Sequence, residues 1–210
     1  NEVTEKCHSV AFYKYDGAWK DIARWKALSE ELPDKHIGNI ILGEGVGNTT
    51  IINELELPIV CDGITNAVVV AGYEGVLVCS KNASENIKQY VEKVATRPMF
   101  EERRWGTYKV INTTQYSDGF RTLTKELKLN AGCNISYQIH RHRDEVWTFV
   151  NGRGLLVIDG KITEVARGSV VHIKKGQLHA VRAITDLEFI EVQTGDILVE
   201  EDIERYDWEW

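Results

Sequence analysis

From about residue 100 onward the chain carries no helical period, and that constrains its fold more than any other feature. Short runs rich in Val, Ile and Thr fill 107–111, 121–129, 136–140, 145–150, 155–158, 161–165, 169–173, 179–183 and 189–194, with Gly or Asp turns between them. Asp159-Gly160 between two such runs is a hairpin signal, because both residues tolerate positive φ. About eight strands without a long helix predict a closed barrel or jelly roll, since closure is how such a set disposes of its edges. The acidic stretch 200–209 carries Ile203, Tyr206, Trp208 and Trp210, so it is expected to dock rather than to float.

The preceding hundred residues read differently. A short strand is expected at 10–13, and 18–32 switches to helical spacing with Ile22, Trp25, Leu28 and Leu32 on one face and Asp21 as N-cap. Brief Val/Ile runs at 40–42, 50–52, 59–60, 68–70 and 76–78 then alternate with Gly, Asn or Asp, as in stacked β rungs. A second helix is expected over 82–94, and Arg97-Pro98 marks a boundary because the residue before proline is pushed out of helix. The chain thus divides into 1–96, a small α/β segment with β-helix-like rungs, and 97–210, a mainly β barrel.

Composition narrows the partners. A net charge of −7 over 210 residues argues against nucleic acid, whose backbone demands a basic footprint. No apolar run approaches a membrane span, and the four cysteines Cys7, Cys61, Cys79 and Cys133 form no CxxC pair, so a soluble cytoplasmic protein with reduced thiols is expected. The first residue is not Met, and upstream sequence is expected.

Chemistry concentrates at one spacing. Gln138 and His140 lie two apart on a strand and so leave the same face, Glu145 opens the next strand, and His179 follows Gly176 on a later hairpin. Two imidazoles, a carboxylate and an amide oxygen turned into a barrel would suit one divalent metal ion, zinc first, with iron, manganese or nickel open.

These residues resemble the cupin family, a double-stranded β-helix or jelly-roll barrel. Its first motif, G-x5-H-x-H-x4-E-x6-G, is met by Gly132, Gln138, His140, Glu145 and Gly152. Its second, G-x5-P-x-G-x2-H, is met by Gly168, Gly176 and His179. Gln138 replaces the first His and Lys174 the Pro. Within the cupins the chain is similar to type II mannose-6-phosphate isomerases. Their R-P-W-G-x-Y opening stands as Arg103-Arg104-Trp105-Gly106-Thr107-Tyr108, their Q-x-H-x-H-R-x-E core spans 138–145, their I-E-V-Q-x-G is 190–195 and their E-D-I-x-R is 201–205. The family's R-x-E-H-W has Val146 in place of its His, and its Y-G-R ending is replaced by Tyr206-Asp207-Trp208-Glu209-Trp210. Residues 1–95 resemble the end of the mannose-1-phosphate guanylyltransferase that precedes this cupin, with Trp19 to Trp25 similar to W-x-D-V-G-S-W; its G-G-x-G-T-R-L signature is absent.

The resemblance implies metal-dependent conversion of mannose 6-phosphate to fructose 6-phosphate in GDP-mannose metabolism, without nucleotidyl transfer by this chain. Gln138, His140, Glu145 and His179 would hold the metal. Arg143, His142 and Lys125 are the candidate catalytic groups, and Arg103 and Arg182 the candidates for binding a small phosphorylated sugar. By analogy with other barrels of this kind a homodimer is expected. The alternative is a non-catalytic sugar-phosphate-binding or dimerisation module.

Overall fold

A computed structural model describes residue 11, residues 13–94 and residues 97–210. The described residues group into two compact units, one running to Ala71 and including Val76–Tyr90, the other comprising Gly72–Gly75 and Val91–Trp210.

The first unit opens with helix α1 (Trp25–Glu31). It is shorter than the helical spacing predicts, and Asp21 does not cap it. Instead the Asp21 Oδ1 accepts the Ala23 N–H at 2.9 Å, a local turn that competes with helix ahead of Trp25. The strand expected at 10–13 falls partly outside the described residues, and Ala11 and Tyr13 are not in a strand. Six short strands follow: β1 (His36–Ile37), β2 (Ile40–Leu42), β3 (Thr50–Asn53), β4 (Ile59–Cys61), β5 (Ala67–Gly72) and β6 (Gly75–Ser80). β1 with β3, β3 with β5 and β2 with β4 all pair in parallel, giving the stacked rungs that the Val/Ile runs implied. The rung corners are built by asparagine. Asn48 and Asn66, eighteen residues apart, share a side-chain hydrogen bond, and both adopt positive φ, which asparagine tolerates better than most residues. A single 3-10 turn, Ala83–Asn86, and helix α2 (Lys88–Val94) cover the second predicted helix. Cys61, Cys79 and Cys133 are free thiols; Cys7 lies outside the described residues.

The second unit is the barrel. Its strands are β7 (Phe100–Arg103), β8 (Gly106–Gln115), β9 (Arg121–Leu129), β10 (Tyr137–Ile139), β11 (Arg143–Asn151), β12 (Arg153–Ile158), β13 (Lys161–Ala166), β14 (Val170–Ile173), β15 (His179–Ala183), β16 (Leu187–Gly195) and β17 (Glu204–Tyr206). They form a six-stranded sheet, β14-β11-β16-β9-β8-β7, and a five-stranded sheet, β13-β12-β15-β10-β17. The fold is mainly β, a double-stranded β-helix of the cupin kind. At Asp159-Gly160 both residues have positive φ, as the tight hairpin between β12 and β13 requires. Among the described residues no helix is long and apolar enough to cross a membrane.

What positions the site is the order of residues along three neighbouring strands. The buried face of β11 reads Arg143, Glu145, Trp147, Phe149; that of β16, followed in the opposite direction, reads Gln193, Glu191, Phe189, Leu187. β9 places Lys125 opposite Glu191 and Leu127 opposite Phe189. Period-two alternation aims all of these inward, so one end of the barrel is apolar and the other polar. The apolar end is bound by aromatic contacts, with Trp147, Phe149 and Phe189 at centroid separations of 4.9 to 6.4 Å. The tail docks as expected. β17 pairs with β10, and Trp208 lies 4.9 Å from Tyr137 on the outer face of β10.

Phe189 has no exposed surface at the centre of this cluster. Phe189→Ala is expected to destabilise the protein by about 3–5 kcal/mol, read as a lowered urea midpoint at unchanged slope; a loss below ~1 kcal/mol would contradict the packing described.

Candidate metal centre and its cavity

The polar end gathers His140, Glu145 and His179, whose ligand atoms all lie within 4.8 Å of one another. His140 follows β10, Glu145 is on β11 and His179 begins β15, so three separate segments converge. All three side chains are buried.

Backbone carbonyls fix both imidazoles. The His140 Nδ1 is 2.6 Å from the Asp202 carbonyl oxygen, and the His179 Nδ1 is 3.0 Å from that of Gln177. A carbonyl can only accept, so each Nδ1 carries the proton and each Nε2 turns a lone pair inward. Burial, assisted by the Arg143 charge and opposed by Glu145, holds the His140 imidazole below its ordinary pKa and therefore neutral at pH 7. Burial works against ionisation of Glu145, but the adjoining His179 and His140 rings and the Arg143 guanidinium outweigh it and pull its carboxyl below the usual range.

Two lone pairs therefore face one carboxylate: His140 Nε2 lies 3.2 Å from Glu145 Oε1, and His179 Nε2 lies 3.6 Å from Oε2. The His179 Nε2 is buried with no hydrogen-bond partner. Such an arrangement is repulsive until a cation stands between the donors, and N and O donors of this kind suit a borderline divalent metal. The residues fit the expected ion.

Gln138 adjoins this set, its Nε2 3.4 Å from His140 Nε2 while its Oε1 accepts from Ser136 Oγ at 2.8 Å. A half-turn of the amide would exchange these roles and present oxygen to the donors. Arg143 spans the remaining side, with Nε 2.9 Å from Glu145 Oε1 and Nη2 3.3 Å from His140 Nε2. The indole Nε1 of Trp147 donates to Glu145 Oε2 at 3.1 Å.

A cavity of about 180 Å³ lies beside the cluster, with Gln138, Arg143 and Gln193 in the wall nearest the donors. Lys125 also lines it, buried, its Nζ 2.6 Å from Glu200 and 4.7 Å from the Tyr108 ring centre. Arg103 lines it too, ion-paired with Glu101, which also accepts from the Tyr108 hydroxyl at 2.5 Å.

Two sequence candidates are not brought to the cavity. His142 is exposed in the turn before β11, its backbone N–H held by Asp202 at 3.1 Å and its side chain outside the cavity lining. Arg182 sits between Val181 and Ala183 on β15, whose side chains enter the core, so alternation sends it to the face opposite His179. Val146 likewise points away from Glu145, so the imidazole missing at that position removes nothing from the cavity-facing side of β11.

The sequence reading missed Glu191, Gln193, Glu200, Asp202 and Arg205. Gln193 Nε2 donates to Glu191 Oε1 at 2.6 Å. Burial, then the Glu145 charge, pushes the Glu191 carboxyl well above the ordinary range, against the pull of Lys125 and Arg143. Asp202 accepts the backbone N–H groups of Arg141 and His142 through its carboxylate and binds the His140 ring through its carbonyl. The signal available beforehand was the alternation over 187–193, which placed Glu191 and Gln193 on the same inward face as Leu187 and Phe189.

The mannose-6-phosphate isomerase C-terminal family matches residues 68–208. A mannose-1-phosphate guanylyltransferase of Escherichia coli K12 is 28% identical over 217 residues, covering 97% of this chain and 44% of that protein. The alginate biosynthesis protein AlgA of Pseudomonas putida is 28% identical over 224 residues, covering 98% and 44%. A solved Klebsiella pneumoniae protein with a double-stranded β-helix domain is similar over 52% of this chain and 84% of its own, at 18% identity and a TM-score of 0.41. The chain spans less than half the length of the curated relatives it matches. With two thirds of its residues inside one family match and the cupin topology around them, the chain belongs to the mannose-6-phosphate isomerase C-terminal family.

Proposed function

We propose that the barrel is a divalent-metal-dependent isomerase of a phosphorylated aldose, interconverting mannose 6-phosphate and fructose 6-phosphate in cytoplasmic GDP-mannose metabolism. The observation that carries this reading is the convergence of two imidazole Nε2 atoms and a buried carboxylate on one point beside a cation-lined cavity.

His140, Glu145 and His179 would hold the ion, with Gln138 as a fourth donor after rotation of its amide; zinc is the first choice for such a set. When bound, the ion would polarise the sugar carbonyl and stabilise negative charge developing on its oxygen. The remaining steps belong to the side chains. Arg143 stands between the donors and the cavity, where its guanidinium can contact a sugar oxygen while keeping Glu145 in place. Aldose–ketose exchange also requires a base that takes a proton from one carbon and returns it to the next. Glu191 is a buried carboxylate lining the cavity outside the donor set, hydrogen-bonded by Gln193 and directly opposite Lys125. It is the group assigned to carry that proton. Lys125, held by Glu200, keeps a positive charge beside it.

Metal-replete protein should convert mannose 6-phosphate to fructose 6-phosphate, lose the activity on chelation and regain it with zinc. Metal-replete protein that binds mannose 6-phosphate without turnover would leave a non-catalytic binding module instead. His140→Ala should reduce bound metal, measured by elemental analysis, to well below one ion per chain while the far-ultraviolet circular dichroism stays that of the wild type. Stoichiometric metal in that variant would break the donor assignment. Glu191→Gln should lower kcat by about 10²–10⁴-fold at unchanged metal content.

The same variant tests the electrostatics without catalysis. A carboxyl whose folded pKa is raised binds its proton more tightly folded than unfolded. Metal-free wild type should therefore lose stability as pH rises from the ordinary carboxylate value of about 4.3 through the raised one. Glu191→Gln should flatten that loss and be more stable than wild type by on the order of 1–2 kcal/mol at pH 8. Parallel stability-versus-pH curves would contradict the burial of an ionisable Glu191.

A further inference from the structure

Four cations line the cavity: Arg103, Lys125, Arg143 and Arg205. Three already have acidic partners on the protein. Lys125 is bound to Glu200 at 2.6 Å, Arg143 to Glu145 at 2.9 Å with Asp202 at 3.7 Å, and Arg103 to Glu101. Arg205 alone among them makes no side-chain hydrogen bond or ion pair within the described residues.

Its position is set by strand register. β17 runs antiparallel to β10 with Arg205 opposite Gln138, Glu204 opposite Ile139 and Tyr206 opposite Tyr137. Alternation then separates the faces. Glu204 leaves on the side where it binds Arg141 through two bonds of 2.9 Å, whereas Arg205 leaves with Gln138 into the cavity. Since Gln138 abuts His140, a guanidinium with all its donors free stands one side chain away from the candidate metal donors. The strand that carries it is anchored behind by Trp208 against Tyr137.

We infer that Arg205 is the anchor for the phosphate of the sugar substrate and sets which end of that substrate enters first. This rests on the isomerase reading for the identity of the sugar, but not for the binding of phosphate. A planar guanidinium pairs with a phosphate dianion through two parallel N–H···O bonds, and a partially solvated cavity mouth strengthens the pair without the cost of burying it fully. The phosphate would be held by Arg205, assisted by Arg103, leaving the carbonyl end to reach His140, Glu145 and His179. The substrate class is therefore a sugar phosphorylated on the carbon remote from its carbonyl. A sugar 1-phosphate has no free carbonyl to offer the donors.

The test is calorimetric titration of zinc-loaded wild type, Arg205→Ala, Arg205→Lys and Arg182→Ala with mannose 6-phosphate, mannose and inorganic phosphate, with metal content measured in each. Arg205→Ala should bind mannose 6-phosphate about 10- to 100-fold more weakly and lose its preference over mannose. Metal content should be unchanged, and Arg205→Lys should recover part of the loss. Arg182→Ala, altered on the opposite face of its sheet, should bind as wild type does. In the isomerase assay Arg205→Ala should raise KM with kcat within a few-fold. Binding in the wild type without turnover would sink the isomerase reading while a loss in Arg205→Ala still upholds the anchor. Undiminished mannose 6-phosphate binding by Arg205→Ala, or a loss confined to Arg182→Ala, overturns it, as does a wild type that binds no mannose 6-phosphate.

Discussion

A carboxylate only 1% exposed stays ionised only where its surroundings replace the water it has lost, and the polar end of the barrel is organised by that demand at Glu145. The Arg143 guanidinium and the Trp147 indole donate to it directly, and two imidazoles stand close enough for an ion to join them to it. Removing any one partner would leave charge stranded in a low-dielectric interior, which costs more than the lost bond itself. Asp202 extends the arrangement outward, because it holds both the turn from which Arg143 departs and the ring orientation of His140. The tail segment that supplies Asp202 is therefore as much a part of the centre as the strands that supply the ligands.

Fold and site are two readings of one alternating pattern. β11, β16 and β9 each send every second residue inward; along β11 and β16 those residues change from charged or polar to apolar, and on β9 Lys125 sits between the buried Leu123 and Leu127. The apolar halves stack as Phe149, Phe189 and Leu127 in register, which holds the sheet in shape. The polar halves, in the same register, bring Glu145 opposite Gln193 and Glu191 opposite Lys125. A one-residue slip would reverse both faces at once, so the packing that makes the barrel stable also specifies the chemistry at its end.

Much of this was legible in the sequence, for a physical reason. Parity put Gln138 and His140 on one strand face, but it was the resemblance to the two cupin motifs that joined Glu145 and His179 to them. Parity could also have excluded Arg182, which is odd-numbered from His179 and so leaves the other face. His142 failed because a turn has no parity to read, and the backbone bonds to Asp202 lie outside its own segment. Local alternation marks Glu191 as an inward charge but not its partner, whereas Glu200, Asp202 and Arg205 reach the site through long-range contacts of the tail with β9 and β10, which no local period encodes. Helix α1 fell short of its amphipathic pattern because Asp21 spends its side chain on a turn.

Trp147 has a consequence of another kind. It is wholly buried, it donates to Glu145, and its ring stands edge-on to His179 at a centroid separation of 5.4 Å. An indole so placed is an optical probe built into the centre. An open-shell ion such as nickel or high-spin iron, held by those two side chains, would quench the excited ring at contact range, whereas closed-shell zinc would leave it bright. The share of the chain's ultraviolet emission that comes from Trp147, one of six tryptophans, thus carries the information on the metal that the donor atoms alone leave open.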